Sequence, residues 1–121
     1  MIVIATNAPL SSRDLQRLAA RGVFALARTG SSYSNGSGDF AIAFSTSSEV
    51  RVRAGDESPR AHVLLPSEAM SPLFQAALEA TEEAVYNSLF RAKTTSGNGL
   101  TIEALPLDRV KALLASPRPR P

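Results

Sequence analysis

The sequence predicts an α+β fold in which a small sheet is covered by helices. Three observations carry this. Met1 to Thr6 is a short, β-branched apolar run. Residues 40–45 alternate Phe40, Ile42 and Phe44 with Ala41, Ala43 and Ser45, the period of a strand. Two longer stretches, opening at Ser11 and at Ser71, repeat their apolar residues with the period of a helix.

Taken in order, Met1 to Thr6 fits a strand buried on both faces, and Pro9 breaks it because proline cannot continue a ladder. Ser11 and Asp14 have capping-box spacing, with Asp14 a shorter stand-in for Glu, and Leu10 and Leu15 sit where a hydrophobic staple would sit. The helix that follows carries Leu15, Leu18, Ala19, Val23 and Leu26 on one stripe, with Arg13, Gln16, Arg17 and Arg21 outside it. Gly22 costs such a helix about 1 kcal/mol relative to alanine, which points to close backbone packing there. Gly30 is a natural stop. The small face of the next strand points to something packed closely against it.

Residues 49–54, EVRVRA, alternate again and are expected to form a third, more exposed strand. GDESPR reads as a surface turn and AHVLL as a short apolar run. Ser71-Pro72 opens the second helix, since proline is tolerated at the first helical position. Phe74, Leu78, Val85 and Leu89 form its stripe, with Glu79, Glu82 and Glu83 on the wetter side. It is expected to run to about Ala92 and end near TTSGNG. Pro106 to Ser116 predicts a short amphipathic closing helix. Two nearly all-apolar strands imply more covering layer than this chain supplies alone.

A length of 121 residues allows one domain, expected over 1–116, with a Pro/Arg tail over 117–121 expected to be extended or disordered. The formal charge is +2, and Arg118 and Arg120 supply two of the 13 basic side chains. The remaining 11 match the 11 acidic ones. The basic bias thus lies in the tail, and no nucleic-acid partner is expected. The absence of cysteine excludes disulfides, thiolate metal sites and a cysteine nucleophile. The opening MIVIAT has no signal-peptide character and no segment has the length of a membrane span, so no membrane association and a cytoplasmic location are expected.

GSSYSNGSGD could be read as a phosphate cradle, but it leads into a strand and lacks a Gly-Lys-Ser/Thr ending. His62, the single histidine, lies in a Pro-bounded run with no partner near it in sequence, and one histidine with scattered carboxylates makes no metal site. Glu82 and Glu83 point about 100° apart on a helix and cannot grip one site together. Tyr33 and Tyr86 fall in no pattern that assigns them a role. Ser37 and Asp39 differ, because residues i and i+2 entering a strand point to the same side. Two readings stay open on spacing alone: convergence of hydroxyl and carboxylate, or Asp39 capping the backbone of its own loop.

The phrases IVIATNAPL, LARTGSSYSNGSGDFAIAFST, EATEEAVYNSLFRAKTTSG and EALPLDRV, in that order, resemble one family. It is the C-terminal, β-subunit portion of the L-aminopeptidase/D-esterase and β-peptidyl aminopeptidase (DmpA-type) family. The resemblance implies part of an αββα sandwich, close to the DmpA and ornithine-acetyltransferase-like fold, in which both subunits contribute. It implies an N-terminal-nucleophile serine hydrolase that matures by autoproteolysis and cleaves N-terminal residues from peptides, amides or esters without a cofactor or metal. The new terminal serine supplies the hydroxyl and its free α-amine acts as base.

The family phrase GSG-D/E falls on Ser37, Gly38 and Asp39. By that resemblance Ser37 polarises the nucleophile or its amine and Asp39 holds the network in register, with Asn35, Gly36 and Gly38 as the supporting loop. Glu is common at the acidic position, so Asp39 reaches one methylene less. The nucleophile itself is expected upstream of Met1, so no residue of this chain fills that role, and the chain alone is expected to be inactive. An α-subunit-like chain or upstream segment, a peptide or amide substrate and an oligomeric assembly are the expected partners. The alternative is a noncatalytic remnant or assembly module that keeps the fold without the activity.

Overall fold

The computed structural model describes residues 1–116; the expected tail at 117–121 lies outside the described residues. The elements are β1 (Ile2–Thr6), α1 (Ser12–Arg28), β2 (Ala41–Ser45), α2 (Ser71–Arg91), β3 (Thr95–Gly97), β4 (Leu100–Ile102) and α3 (Leu107–Ala115). Short 3-10 turns occupy Ser48–Val50 and Ser67–Met70. The chain divides into two compact units, Met1–Glu83 and the part that begins at Ala84.

In the first unit β1 and β2 pair in parallel, with Ile2 opposite Ala41, Ile4 opposite Ala43 and Thr6 opposite Ser45. Parallel neighbours need a crossover, and α1 supplies it. Ser11 caps α1: its hydroxyl accepts from the Asp14 N–H at 3.2 Å and donates to the Asp14 carboxylate at 2.7 Å. The shorter Asp thus closes the box on the cap's side chain. The helix ends in a Schellman turn, with Ser31 N–H on the Leu26 carbonyl at 3.0 Å and Gly30 at φ +97°.

The strands alternate half-buried and exposed residues. Ile2, Ile4, Thr6, Ala41, Ala43 and Ser45 turn to the helices. The close packing expected at Gly22 is present: a Cβ there would lie 3.1 Å from both Ile2 Cγ2 and Ile4 Cδ1. The core gathers Leu10, Leu18, Met70 and Ala77, against which Ile4, Ala43, Leu73 and Phe74 pack. Met70 is fully buried and Thr81 sits beside Gly22, neither marked out by the sequence pattern.

The opposite face is bare. Val3 is 58%, Ile42 54% and Phe44 46% exposed. β1 was expected to be buried on both faces; in this chain both helices packed on the sheet lie on one side, so only alternate residues are covered.

The third strand expected over 49–54 is not formed. Glu49 enters a 3-10 turn capped by the Ser47 hydroxyl, and the Arg51 guanidinium reaches the Thr46 carbonyl at 2.8 Å. The Arg53 N–H is taken by the Asp56 carboxylate at 3.1 Å. Local side-chain bonds satisfy this backbone, so the alternation never finds a ladder.

In the second unit TTSGNG does more than end the helix. Thr95–Gly97 and Leu100–Ile102 pair antiparallel across Asn98 and Gly99, both at positive φ (50° and 76°). Asn-Gly with two positive φ values is the type I′ hairpin signal. Tyr86 and Phe90 rings lie 6.5 Å apart, and α3 begins at Leu107, close to the expected Pro106.

Candidate active site

Parallel pairing brings the starts of β1 and β2 to the same end of the sheet. The Ile2 N–H donates to the Phe40 carbonyl at 2.8 Å, so the residue next to Asp39 is fastened to the opening of β1. The loop before it is exposed from Ser32 to Phe40 and contains one internal turn, closed by the Ser37 N–H on the Ser34 carbonyl at 3.0 Å. Gly36, third in that turn, has φ +92°, while Asn35 keeps negative φ; this is a type II turn, which needs glycine or asparagine there.

The turn delivers Ser37 to Asp39. The Ser37 hydroxyl donates to Asp39 Oδ2 at 2.8 Å. Of the two readings left open by spacing, the carboxylate follows the first: its bond comes from the hydroxyl two residues back. A Cβ on Gly38, between them, would lie 3.3 Å from Phe40 Cε2, so the Phe40 ring folds back over that backbone. A hydroxyl bonded to a carboxylate can accept or relay a proton from a third group.

The other titratable residues stand apart. The exposed His62 places Nδ1 2.7 Å from the Glu49 carbonyl, a contact that requires the proton on Nδ1. Glu82 pairs with Arg28 at 2.9 Å. The Asp14 carboxyl is held below the ordinary aspartate value, first by the Ser11 hydroxyl and then by the Arg17 guanidinium at 2.9 Å. No group of three His, Cys, Asp or Glu among the described residues could hold a metal ion. No helix among them is long and apolar enough to cross a membrane.

Two apolar grooves flank the sheet. One of about 310 Å³ runs along β2 beside α1, between Ala41–Ala43 and Leu15, Gln16 and Ala19. A smaller one, about 160 Å³, lies between β1 and α2, from Ile4–Thr6 to Ala76 and Ala80. Neither is lined by Ser37 or Asp39. A side chain that the sequence pattern left without a role reaches from the site's loop to α1: the Tyr33 hydroxyl donates to the Val23 carbonyl.

Solved structures and curated relatives resemble this chain closely. The L-aminopeptidase D-Ala-esterase/amidase of Ochrobactrum anthropi, a prototype of the serine aminopeptidases with a variant of the Ntn-hydrolase fold, superposes with a TM-score of 0.82 at 33% identity. That match covers 93% of this chain and 32% of the other. The PH0078 protein of Pyrococcus horikoshii OT3 gives 0.84 at 42% identity, over 93% of this chain and 31% of its own. The β-peptidyl aminopeptidase BapA of Sphingosinicella microcystinivorans is 40% identical over 119 residues, 94% of this chain and 29% of the relative.

By fold, then, the chain is of the Ntn-hydrolase class represented by the serine aminopeptidases. The profile of Peptidase family S58 matches residues 1–102. The chain belongs to that family, and it spans about 30% of the length of the relatives it matches.

Proposed function

We propose that this chain is the β-subunit-like portion of a serine aminopeptidase, one that removes N-terminal residues from peptides, amides or esters. The observation that carries the reading is the 2.8 Å Ser37–Asp39 hydrogen bond beside the start of β1. In this reading an upstream serine, continuing β1 backwards past Met1, comes alongside Asp39 and is polarised by Ser37. Its free α-amine takes the hydroxyl proton as the oxygen attacks the substrate carbonyl, and returns it to the departing amine. Asp39 holds the Ser37 hydroxyl in one orientation, which lowers the reorganisation the reaction requires.

An α-subunit-like segment supplies the oxyanion donors and lays a second sheet on the bare face of Val3, Ile42 and Phe44. The exposure of that face supports such a segment, because contiguous apolar surface on a sheet is costly in water. The test joins the chain to an upstream segment bearing the serine and to an α-type chain, then measures release of an N-terminal residue and trapping of an acyl-enzyme. Activity that survives Ser37→Ala and Asp39→Ala unchanged removes the pair from the mechanism. A stable assembly that forms no acyl-enzyme makes the chain a noncatalytic assembly module instead.

A further inference from the structure

We infer that Tyr33 is a positioning residue for the Ser37–Asp39 pair, an inference that rests on the reading above. Every residue from Ser32 to Asp39 is exposed, and the large apolar side chain among them, Tyr33, is itself 41% exposed, so the loop contributes no buried residue to the core. Glycine, at 36 and 38 of this loop, loses more chain freedom on ordering than any other residue. What fixes the loop is a short series of bonds. Ser31 N–H closes the Schellman turn on the Leu26 carbonyl at 3.0 Å, and Ser37 N–H closes the type II turn on the Ser34 carbonyl at 3.0 Å. Between those turns stands Tyr33.

Its backbone has φ +48°, the left-handed region. Bulky L side chains adopt that region only where surroundings hold them there. A connection needing nothing but a reversal would use glycine, as the chain does at Gly30 and Gly36. The left-handed turn sends the Tyr33 ring back towards α1, where its hydroxyl donates to the Val23 carbonyl. Among the described residues it is the one side chain of 32–39 that bonds to a residue outside the loop. Val23 is one residue from Gly22, the point where α1 presses against Ile2 and Ile4. Tyr33 therefore ties the loop to a stretch of the helix held against β1, and the site's carboxylate inherits the rigidity of that contact.

The test compares the wild-type chain with Tyr33→Phe, which keeps the ring and removes only the hydroxyl. Backbone amide exchange is read at Ser31 to Asp39, with α1 amides as the internal control. Loss of one hydrogen bond should speed exchange at Ser37 and its neighbours by about tenfold and leave residues 12–28 unchanged. In the full-length enzyme the same variant should lower kcat several-fold with KM unchanged, because only the orientation of the pair towards the nucleophile is lost. Asp39→Glu and Ser37→Ala are measured beside it.

Faster loop exchange with lower kcat supports the inference. Unchanged exchange overturns the anchor. Faster exchange with unchanged kcat, in an enzyme that Ser37→Ala does cripple, overturns the positioning role and leaves the proposed function standing. If Ser37→Ala is itself without effect, the pair leaves the mechanism and this inference falls with it; an assembly that forms no acyl-enzyme at all is the separate result that sinks the proposed function. Faster α1 exchange in Tyr33→Phe would mark a general loss of stability and overturn the local role.

Discussion

The Ile2 N–H and the Phe40 carbonyl meet at 2.8 Å, one residue from Asp39. Under the proposed function, that bond decides where the Ser37–Asp39 pair would act, because any chain that continues β1 backwards must leave beside it. In the assembled enzyme, Asp39→Asn should lower kcat by about 10²-fold, the lower range for loss of one preorganising group at a site. Asp39→Glu, with one more methylene, should keep most of the activity. Steady-state kinetics on an aminoacyl anilide check both.

Gly22 lies 3.1 Å, as a virtual Cβ, from two isoleucine methyls. Alanine gains about 1 kcal/mol in helix propensity, and overpacking costs about 1–3 kcal/mol. Ile4 Cδ1 can swing aside, but Ile2 Cγ2 belongs to a β-branched side chain with little freedom in a strand. The net expectation for Gly22→Ala is a loss of about 1 kcal/mol, read from denaturant midpoints. A gain would show that β1 can slide.

The bare face of Val3, Ile42 and Phe44 should drive self-association of the chain when it is produced alone. Ile42→Thr with Phe44→Thr should reduce the sedimenting mass without lowering the thermal midpoint, since neither side chain supports the buried core. A monodisperse wild-type monomer would contradict this.

Asp14 titrates below the ordinary aspartate value because Ser11 and Arg17 favour its charged form. A depressed folded value means that the unfolded chain binds the proton first as pH falls. The stabilisation is therefore complete above the ordinary aspartate range and disappears as pH drops through the folded value. Asp14→Asn should flatten that acid limb of the stability curve. Ser11→Ala should cost about 1 kcal/mol at neutral pH, as a lost N-cap does.

Much of this fold was legible in the chain because its signals are local. Ser11, Asp14 and Gly30 carry the start and stop of α1 in their own side chains and backbone, and the alternation from Phe40 to Ser45 names the two faces of β2. EVRVRA misled because alternation shows that a segment could form a strand, whereas a ladder needs a neighbour that this part of the chain lacks. Asn98-Gly99 carried a hairpin signal that a reading centred on where α2 ends passed over. Met70 was silent because a single methionine ahead of a helix has no period; only the pocket between α1 and α2 explains its burial. At the site, spacing put Ser37 and Asp39 on one side but could not choose between a paired and a capping carboxylate. Tyr33 was illegible for a plainer reason: its φ and its bond to Val23 depend on where the loop folds back.

The register that sets Ile2 opposite Ala41 also fixes an order of events on the ribosome. β1 leaves the ribosome before β2, and the two can pair only once α1, the glycine-rich loop and β2 have all been synthesised. Closing that long connection is slow compared with forming the helix. Ser37 and Asp39 gain their place beside the first strand only when that closure happens, so a nascent chain cannot present the pair prematurely.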